Sequence, residues 1–119
     1  MNCSLIDDAR AWNSVLLSLP YAHVLQAWQW GEVKARHGWT PNRLLWEHNG
    51  PVAAAQILRR RVPRTPWSVL YVPKGPALDY TDAGQVDAIL DALEAYARRF
   101  RAILIKIDPD VVLWDASNP

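Results

Sequence analysis

The sequence has a single cysteine, Cys3, which excludes the disulfide-stabilised scaffolds of small extracellular proteins. It has no apolar run near the roughly 20 residues that a membrane-spanning helix requires. Its first residues include Asp7 and Asp8 instead of the basic region and apolar block of a signal peptide. Together these absences predict a cytoplasmic protein.

The sequence also lacks the motifs of several enzyme classes. It contains no P-loop, no dinucleotide-binding glycine fingerprint, no zinc-ligand spacing and no Gly-x-Ser-x-Gly element. No nucleophile, base and orienting group can be assembled from it, so catalytic residues stay unassigned, and neither a metal nor a cofactor is expected. A formal net charge of +1 argues against general nucleic-acid binding.

What the chain does have is a large apolar fraction. Half of its 119 residues are hydrophobic and seven are tryptophan, which is enough for a real core in one domain. Tryptophan fills cores and also lines grooves for sugars, peptides or bases, so the count alone does not separate these roles.

A first helix is predicted near the amino terminus. Ser4 or Asp7 would cap it, and Pro20 would end it. The apolar positions recur at close to 3.6 residues, and they are Leu5, Ala9, Trp12, Leu16 and Leu19.

A second helix is predicted over about residues 26–37, closed by Gly38. Trp30, Lys34 and His37 follow each other at helical spacing, so they share one face. This face is either an ordinary surface with a lysine packed along two rings or part of a binding site.

One mixed sheet of four strands is predicted, and the strands span residues 43–47, 52–62, 68–72 and 102–107. The turn His48-Asn49-Gly50 joins the first two, since Asn-Gly between apolar runs is a strong hairpin signal. A helix over residues 83–101 connects the last two as a right-handed crossover. The fourth strand is apolar at nearly every position, which is typical of a central parallel strand buried on both faces.

The third strand ends abruptly at Pro73, in a loop that carries Lys74 and Asp79. Ligands tend to bind at the carboxyl ends of strands, and helix N-termini attract anions. The loop is therefore either a binding segment or a plain strand-to-helix connection with a surface lysine.

Two further clusters have a functional and a plain interpretation. Arg59-Arg60-Arg61 either hold a phosphate or RNA or form a solvated strand end, and three basic residues fall short of a nucleic-acid patch. Asp108-Pro109-Asp110 either contribute to a metal site or form a turn, and turn chemistry favours the second.

The order of the elements resembles the first two-thirds of the GNAT acyltransferase fold, an α+β fold with a mixed, mostly antiparallel sheet and flanking helices. In acetyl-CoA-dependent members, the loop after the third strand carries Arg/Gln-x-x-Gly-x-Gly/Ala, whose amides hold the pyrophosphate. Here that loop begins Pro73-Lys74-Gly75-Pro76. It lacks the motif and its prolines remove amides, so an ordinary coenzyme A site is not expected.

Four segments together resemble the amino-terminal portion of the Fem-type peptidyltransferases, the FemABX family, which build the interpeptide bridge of peptidoglycan. They are Leu25-Gln26-Ala27-Trp28-Gln29-Trp30-Gly31-Glu32-Val33-Lys34, Gly38-Trp39, Tyr71-Val72-Pro73-Lys74-Gly75-Pro76 and Lys106-Ile107-Asp108-Pro109. The resemblance covers nearly the whole chain. It implies that residues 1–119 are a single, incomplete amino-terminal GNAT-like domain of a larger transferase.

The resemblance implies transfer of an amino acid from aminoacyl-tRNA to the stem peptide of a UDP-linked or lipid-linked peptidoglycan precursor, without a cofactor. By motif position Lys34 would contact the precursor's phosphates, and Trp30 would support its uracil or sugar. Tyr71, Lys74 and Asp79 would lie near the same cleft, whereas the tRNA surface would lie mainly outside this chain. Two alternatives stay open: a GNAT-like transferase with another acyl donor, and a non-catalytic binding module or remnant.

Overall fold

The computed structural model of the chain describes residues 1–109, which form one mixed sheet with helices on both faces. The strands are β1 (Asn2–Leu5), β2 (Thr40–Glu47), β3 (Pro51–Arg61), β4 (Ser68–Val72), β5 (Ala77–Leu78) and β6 (Ala102–Ile107). The helices are α1 (Ala9–Leu17), α2 (Trp28–Ala35) and α3 (Ala83–Arg99), and a 3-10 helix, Val24–Gln26, precedes α2. In this part of the chain no helix has both the length and the apolarity to cross a bilayer.

The strand order is β1-β2-β3-β4-β6, and the two-residue β5 pairs with β3. β4 and β6 are parallel, and the other described pairs are antiparallel. The predicted hairpin and the parallel pairing of the last two predicted strands across α3 are therefore confirmed, and β4 and β6 have the predicted bounds. α3 begins where predicted because Asp82 Oδ1 accepts a hydrogen bond from Gln85 N at 3.1 Å.

The predicted first helix is wrong at its start. Residues 2–5 form β1, which pairs with β2 so that Ser4 lies opposite Leu45. Leu5 is 65% exposed rather than part of an apolar helix face. α1 begins after Asp8, whose Oδ2 accepts a hydrogen bond from Ala11 N at 2.8 Å. Pairing with a strand some forty residues away thus overrides the local helical pattern. The helix also ends earlier than predicted, at Leu17 rather than at Pro20.

The second helix is shorter than predicted, because its first part is the 3-10 helix and its regular part ends at Ala35.

Apolar side chains fill both faces of the sheet. On one face α3 packs Ile89 and Leu93 against β2, β3 and β4. On the opposite face α1 packs Trp12 and Leu16 against β3 and β5, and α2 lies beside it on β2 and β3.

Within the described residues β6 is an edge strand of the sheet. Its Ile103 and Leu104 side chains are 61% and 58% exposed. The burial on both faces that its apolar sequence predicts is therefore not found in residues 1–109.

Gly31 is the buried residue of α2, and it faces two side chains of the sheet. A β-carbon there would be 2.5 Å from Nη2 of Arg43 and 2.5 Å from Oε1 of Gln56, and both side chains are buried. Gly31→Ala should therefore lower the free energy of unfolding by roughly 1–3 kcal/mol, even though alanine is the better helix former.

Gly84→Ala is the matched control for this close packing. Gly84 lies in the first turn of α3, where a β-carbon would meet Asp82 Oδ1 at an ordinary 3.5 Å. We expect this variant to gain about 0.4–1 kcal/mol. Urea denaturation of both variants gives the comparison, and a Gly31→Ala protein as stable as Gly84→Ala would contradict the packing.

Candidate functional site

A buried arginine attaches α2 to the sheet. Arg43 of β2 is 5% exposed. Its Nε donates to Gln56 Oε1 at 2.8 Å, its Nη2 donates to the Trp28 carbonyl at 3.0 Å, and its guanidinium lies 3.5 Å from the centroid of the Trp28 ring. Gln56 in turn donates to the Ala27 carbonyl at 3.0 Å. These contacts fix the first turn of α2 against β2 and β3.

The charge of Arg43 has one acidic partner at this site. Nη2 lies 3.2 Å from Oε1 of Glu32, whose side chain is half exposed. Burial lowers the pKa of Arg43, and the hydrogen bond and charge of Glu32 raise it again. An arginine stays protonated in proteins, so the site holds a permanent cation that is partly neutralised.

A second buried side chain, Gln26, ties α2 to the loop after β4. Its Nε2 donates to the Lys74 carbonyl at 2.7 Å, and its Oε1 accepts from His23 N at 2.6 Å. Its backbone carbonyl accepts from Trp12 Nε1 at 2.9 Å. The segment that leads into α2 and the Lys74 loop are therefore neighbours, although 48 residues separate Gln26 from Lys74 in the sequence.

Trp30 and Lys34 come together on α2. Nζ of Lys34 lies 5.0 Å from the centroid of the Trp30 ring, within the range of a cation–π contact. Trp30 Nε1 is buried and has no hydrogen-bond acceptor among the described residues. Lys34 lies about 9 Å along the helix from Trp28, at 1.5 Å per residue. His37, predicted on the same face, is exposed beyond the end of α2.

Tyr71 and Lys74 come together through Asp108. Tyr71 Oη donates to Asp108 Oδ2 at 2.8 Å, and Lys74 N donates to Asp108 Oδ1 at 2.5 Å. The two strand ends meet because Val72 of β4 lies opposite Ile107 of parallel β6. Burial, followed by the hydrogen bond to Asp108, raises the pKa of Tyr71.

Asp108 is a residue of this site that the sequence did not assign. Turn chemistry predicts only that Asp108 lies in a turn. In the structure its carboxylate also accepts hydrogen bonds from Tyr71 and from the loop after β4. The available signal was its position directly after a parallel strand, beside the end of the adjacent strand. Asp110, which the same motif includes, lies outside the described residues.

Asp79 occupies a separate turn. It is exposed, and its Oδ1 accepts hydrogen bonds from Thr81 N at 3.0 Å and Thr81 Oγ1 at 2.6 Å. These bonds lower the pKa of Asp79. The residue directly follows β5, whose Leu78 pairs with Ala53 near the hairpin end of β3. Among the described residues, Asp79 is not brought into contact with the lysines.

The three arginines at the end of β3 contact local structure. Arg59 lies 4.6 Å from the Phe100 ring centroid and Arg60 lies 4.7 Å from that of Trp39. Arg61 Nε donates to the Thr65 carbonyl at 3.0 Å. These contacts favour a structural role over the phosphate or RNA site.

Three lysines lie on the segments described above. Lys34 lies on α2, Lys74 lies on the loop tied to α2, and Nζ of Lys106 lies 5.2 Å from the Tyr71 ring centroid. Lysine binds phosphate as a point charge, and the half-buried Trp30 offers a ring to a base or sugar. The arrangement is suited to a phosphorylated ligand.

Comparison with known proteins matches these elements to one family. The FemAB family model matches residues 16–118. The chain is 36% identical over 95 residues to the lipid II:glycine glycyltransferase of Staphylococcus aureus, covering 79% of this chain and 23% of that protein. The chain therefore spans about a quarter of the length of that relative.

Solved structures give the same result. The crystal structure of FemX matches with a TM-score of 0.81 and 30% identity, covering 95% of this chain and 28% of that one. The ribosomal-protein-alanine N-acetyltransferase of Brucella melitensis biovar Abortus 2308 matches with a TM-score of 0.58 and 19% identity, covering 98% and 84%. The second match confirms the GNAT-like fold. Since the family model covers most of its length, the chain belongs to the FemAB family.

Proposed function

We propose that this chain is the amino-terminal GNAT-like domain of a cytoplasmic aminoacyltransferase that builds the interpeptide bridge of peptidoglycan. The observation that carries the proposal is the 36% identity to lipid II:glycine glycyltransferase. The reaction would move an amino acid from aminoacyl-tRNA to an amino group on the stem peptide of a UDP-linked or lipid-linked precursor.

The role of this chain in that reaction is to hold the precursor. Lys34 and Lys74 neutralise its diphosphate, and Trp30 supports the uracil or the sugar. Tyr71 and Asp108 position Lys74, while Asp79, in its separate turn, would contact a part of the precursor that lies beyond the two lysines. The contacts of Gln26 with the Lys74 carbonyl support this assignment, because they hold the α2 segment and the loop together.

The loop after β4 is poorly suited to bind the pyrophosphate of acetyl-CoA. Pro73 and Pro76 have no N–H, Lys74 N is bonded to Asp108, and Gly75 N donates to the Val72 carbonyl at 3.3 Å. All four backbone nitrogens of the loop are thus absent as donors or already paired. A pyrophosphate needs such amides free, which argues against an acetyl-CoA-dependent transferase.

A donor competition tests this proposal. Purified full-length protein, given aminoacyl-tRNA and a UDP-linked peptidoglycan precursor, should transfer the labelled amino acid to the precursor. Isothermal titration with acetyl-CoA should give no saturable binding up to about 1 mM, equivalent to a binding free energy weaker than roughly 4 kcal/mol. Micromolar acetyl-CoA binding, or acetyl transfer without tRNA, would favour the alternative transferase.

A further inference from the structure

A second concavity lies on the opposite face of the sheet from α2, between α3 and the edge formed by β1 and β2. It has a volume of about 540 Å³, within the range of small-molecule sites. Its floor includes Leu44 and Trp46 of β2, and its wall includes Tyr96 and Arg99 of α3 with the following Phe100. We call this concavity the α3 groove.

Two buried polar atoms in or beside the α3 groove have no hydrogen-bond partner among residues 1–109. They are Oδ1 of Asn42, which lines the groove, and Nε of Arg59, whose guanidinium stacks on Phe100. Buried polar groups are normally paired, because leaving them unpaired costs free energy. Asn42 lines the groove, so its unpaired acceptor can be satisfied by a donor group of a polar ligand bound there.

The α3 groove is positively charged. Arg99 lies on its wall, with its guanidinium 5.6 Å from the Phe100 ring centroid. Arg59 does not line the groove, but its guanidinium lies 4.6 Å from the same centroid. Burial raises the pKa of the Tyr96 phenol, and the charges of the two guanidinium groups act against this rise. None of the residues that line the groove is acidic.

We propose that the α3 groove binds a small amphipathic anion. Its apolar ring or chain would lie on Leu44 and Trp46, and its carboxylate or sulfonate would lie against Arg99. An N–H or O–H of the ligand would donate to Asn42 Oδ1. The groove shares no residue with the precursor surface on α2 and the β4 loop. Binding of an anion in the groove is therefore independent of the proposed transfer reaction.

The probe 8-anilinonaphthalene-1-sulfonate fits these requirements, since it combines an apolar ring system, a sulfonate and one N–H. Fluorescence titration of the full-length protein should show saturable binding of one probe per chain. Arg99→Ala should weaken this binding about tenfold, the loss of one charge-assisted contact. Arg98→Ala is the matched control, because Arg98 is paired with Glu94 and does not line the groove; its dissociation constant should stay within about twofold of wild type.

Filling the groove gives an independent check. Ala95 is an exposed residue of α3 that lines the groove, so Ala95→Trp should abolish probe binding while the far-ultraviolet circular dichroism stays unchanged. No saturable binding by the wild-type protein would overturn the proposal. Equal weakening by Arg98→Ala and Arg99→Ala, or full binding by a folded Ala95→Trp protein, would overturn it as well.

Discussion

Replacing Arg43 by alanine is expected to lower the free energy of unfolding by about 3–5 kcal/mol. The substitution leaves Gln56 Oε1 without its buried donor and removes the additional donor to the Trp28 carbonyl. An unpaired buried acceptor costs roughly 1–3 kcal/mol, and the loss of the buried side chain adds the cost of a cavity. It also removes the guanidinium from the Trp28 ring, a contact of the cation–π kind worth on the order of 1 kcal/mol. Because these contacts hold the first turn of α2, the helix itself should loosen.

Two substitutions separate the hydrogen bonds of Arg43 from its bulk and charge. Arg43→Met keeps most of the apolar stem, yet it should lower the free energy of unfolding nearly as much as Arg43→Ala does. Arg43→Lys keeps the charge but cannot reach both acceptors with one planar fork. Arg98→Ala on exposed α3 should change stability by less than about 0.5 kcal/mol. Chemical denaturation measures all four, and an Arg43→Met protein within about 1 kcal/mol of wild type would contradict the role of the buried donor.

Replacing Lys34 by alanine should raise the KM for the UDP-linked precursor by about tenfold or more in the full-length protein. A charge-assisted contact to a phosphate is worth roughly 1.5–3 kcal/mol when partly desolvated, and about 1.4 kcal/mol corresponds to one decade. The contact is made in the ground state and the transition state alike, so kcat should change little. The KM for aminoacyl-tRNA should also change little, because that substrate is expected to bind mainly elsewhere.

Steady-state kinetics with each substrate varied in turn provides the measurement for Lys34→Ala. Arg98→Ala removes a positive charge from the opposite face of the sheet and should leave both KM values within about twofold of wild type. Precursor kinetics that are unchanged in Lys34→Ala, or equally impaired in Arg98→Ala, would contradict the assignment of Lys34.

The parts of the fold that the sequence predicts are those that local chemistry determines. Asn49-Gly50 specifies the hairpin, Asp82 specifies the start of α3, and the apolar run of residues 102–107 specifies β6. β1 is missed because its pairing with β2 depends on residues some forty positions away, while Leu5 fits a helical period. β5 is missed because two residues are too few for a periodic signal.

The site is predictable only in part for the same reason. Lysines on α2 and in the loop after β4 are visible in the sequence, but the side chains that join the two segments are not. Gln26 bonds to a backbone carbonyl 48 residues away, and Asp108 bonds to groups 34 and 37 residues away. No periodicity or motif predicts these long-range hydrogen bonds. Any polar side chain that reached the same point could make them.

We infer that α2 and the β4 loop form one phosphate-binding surface. A crystal structure of the full-length protein with a bound UDP-linked peptidoglycan precursor tests it most directly. We expect Nζ of Lys34 and Nζ of Lys74 both to lie within about 4 Å of diphosphate oxygens, the usual limit of an ion pair. A diphosphate bound elsewhere, or the two lysines on opposite sides of the molecule, would contradict it.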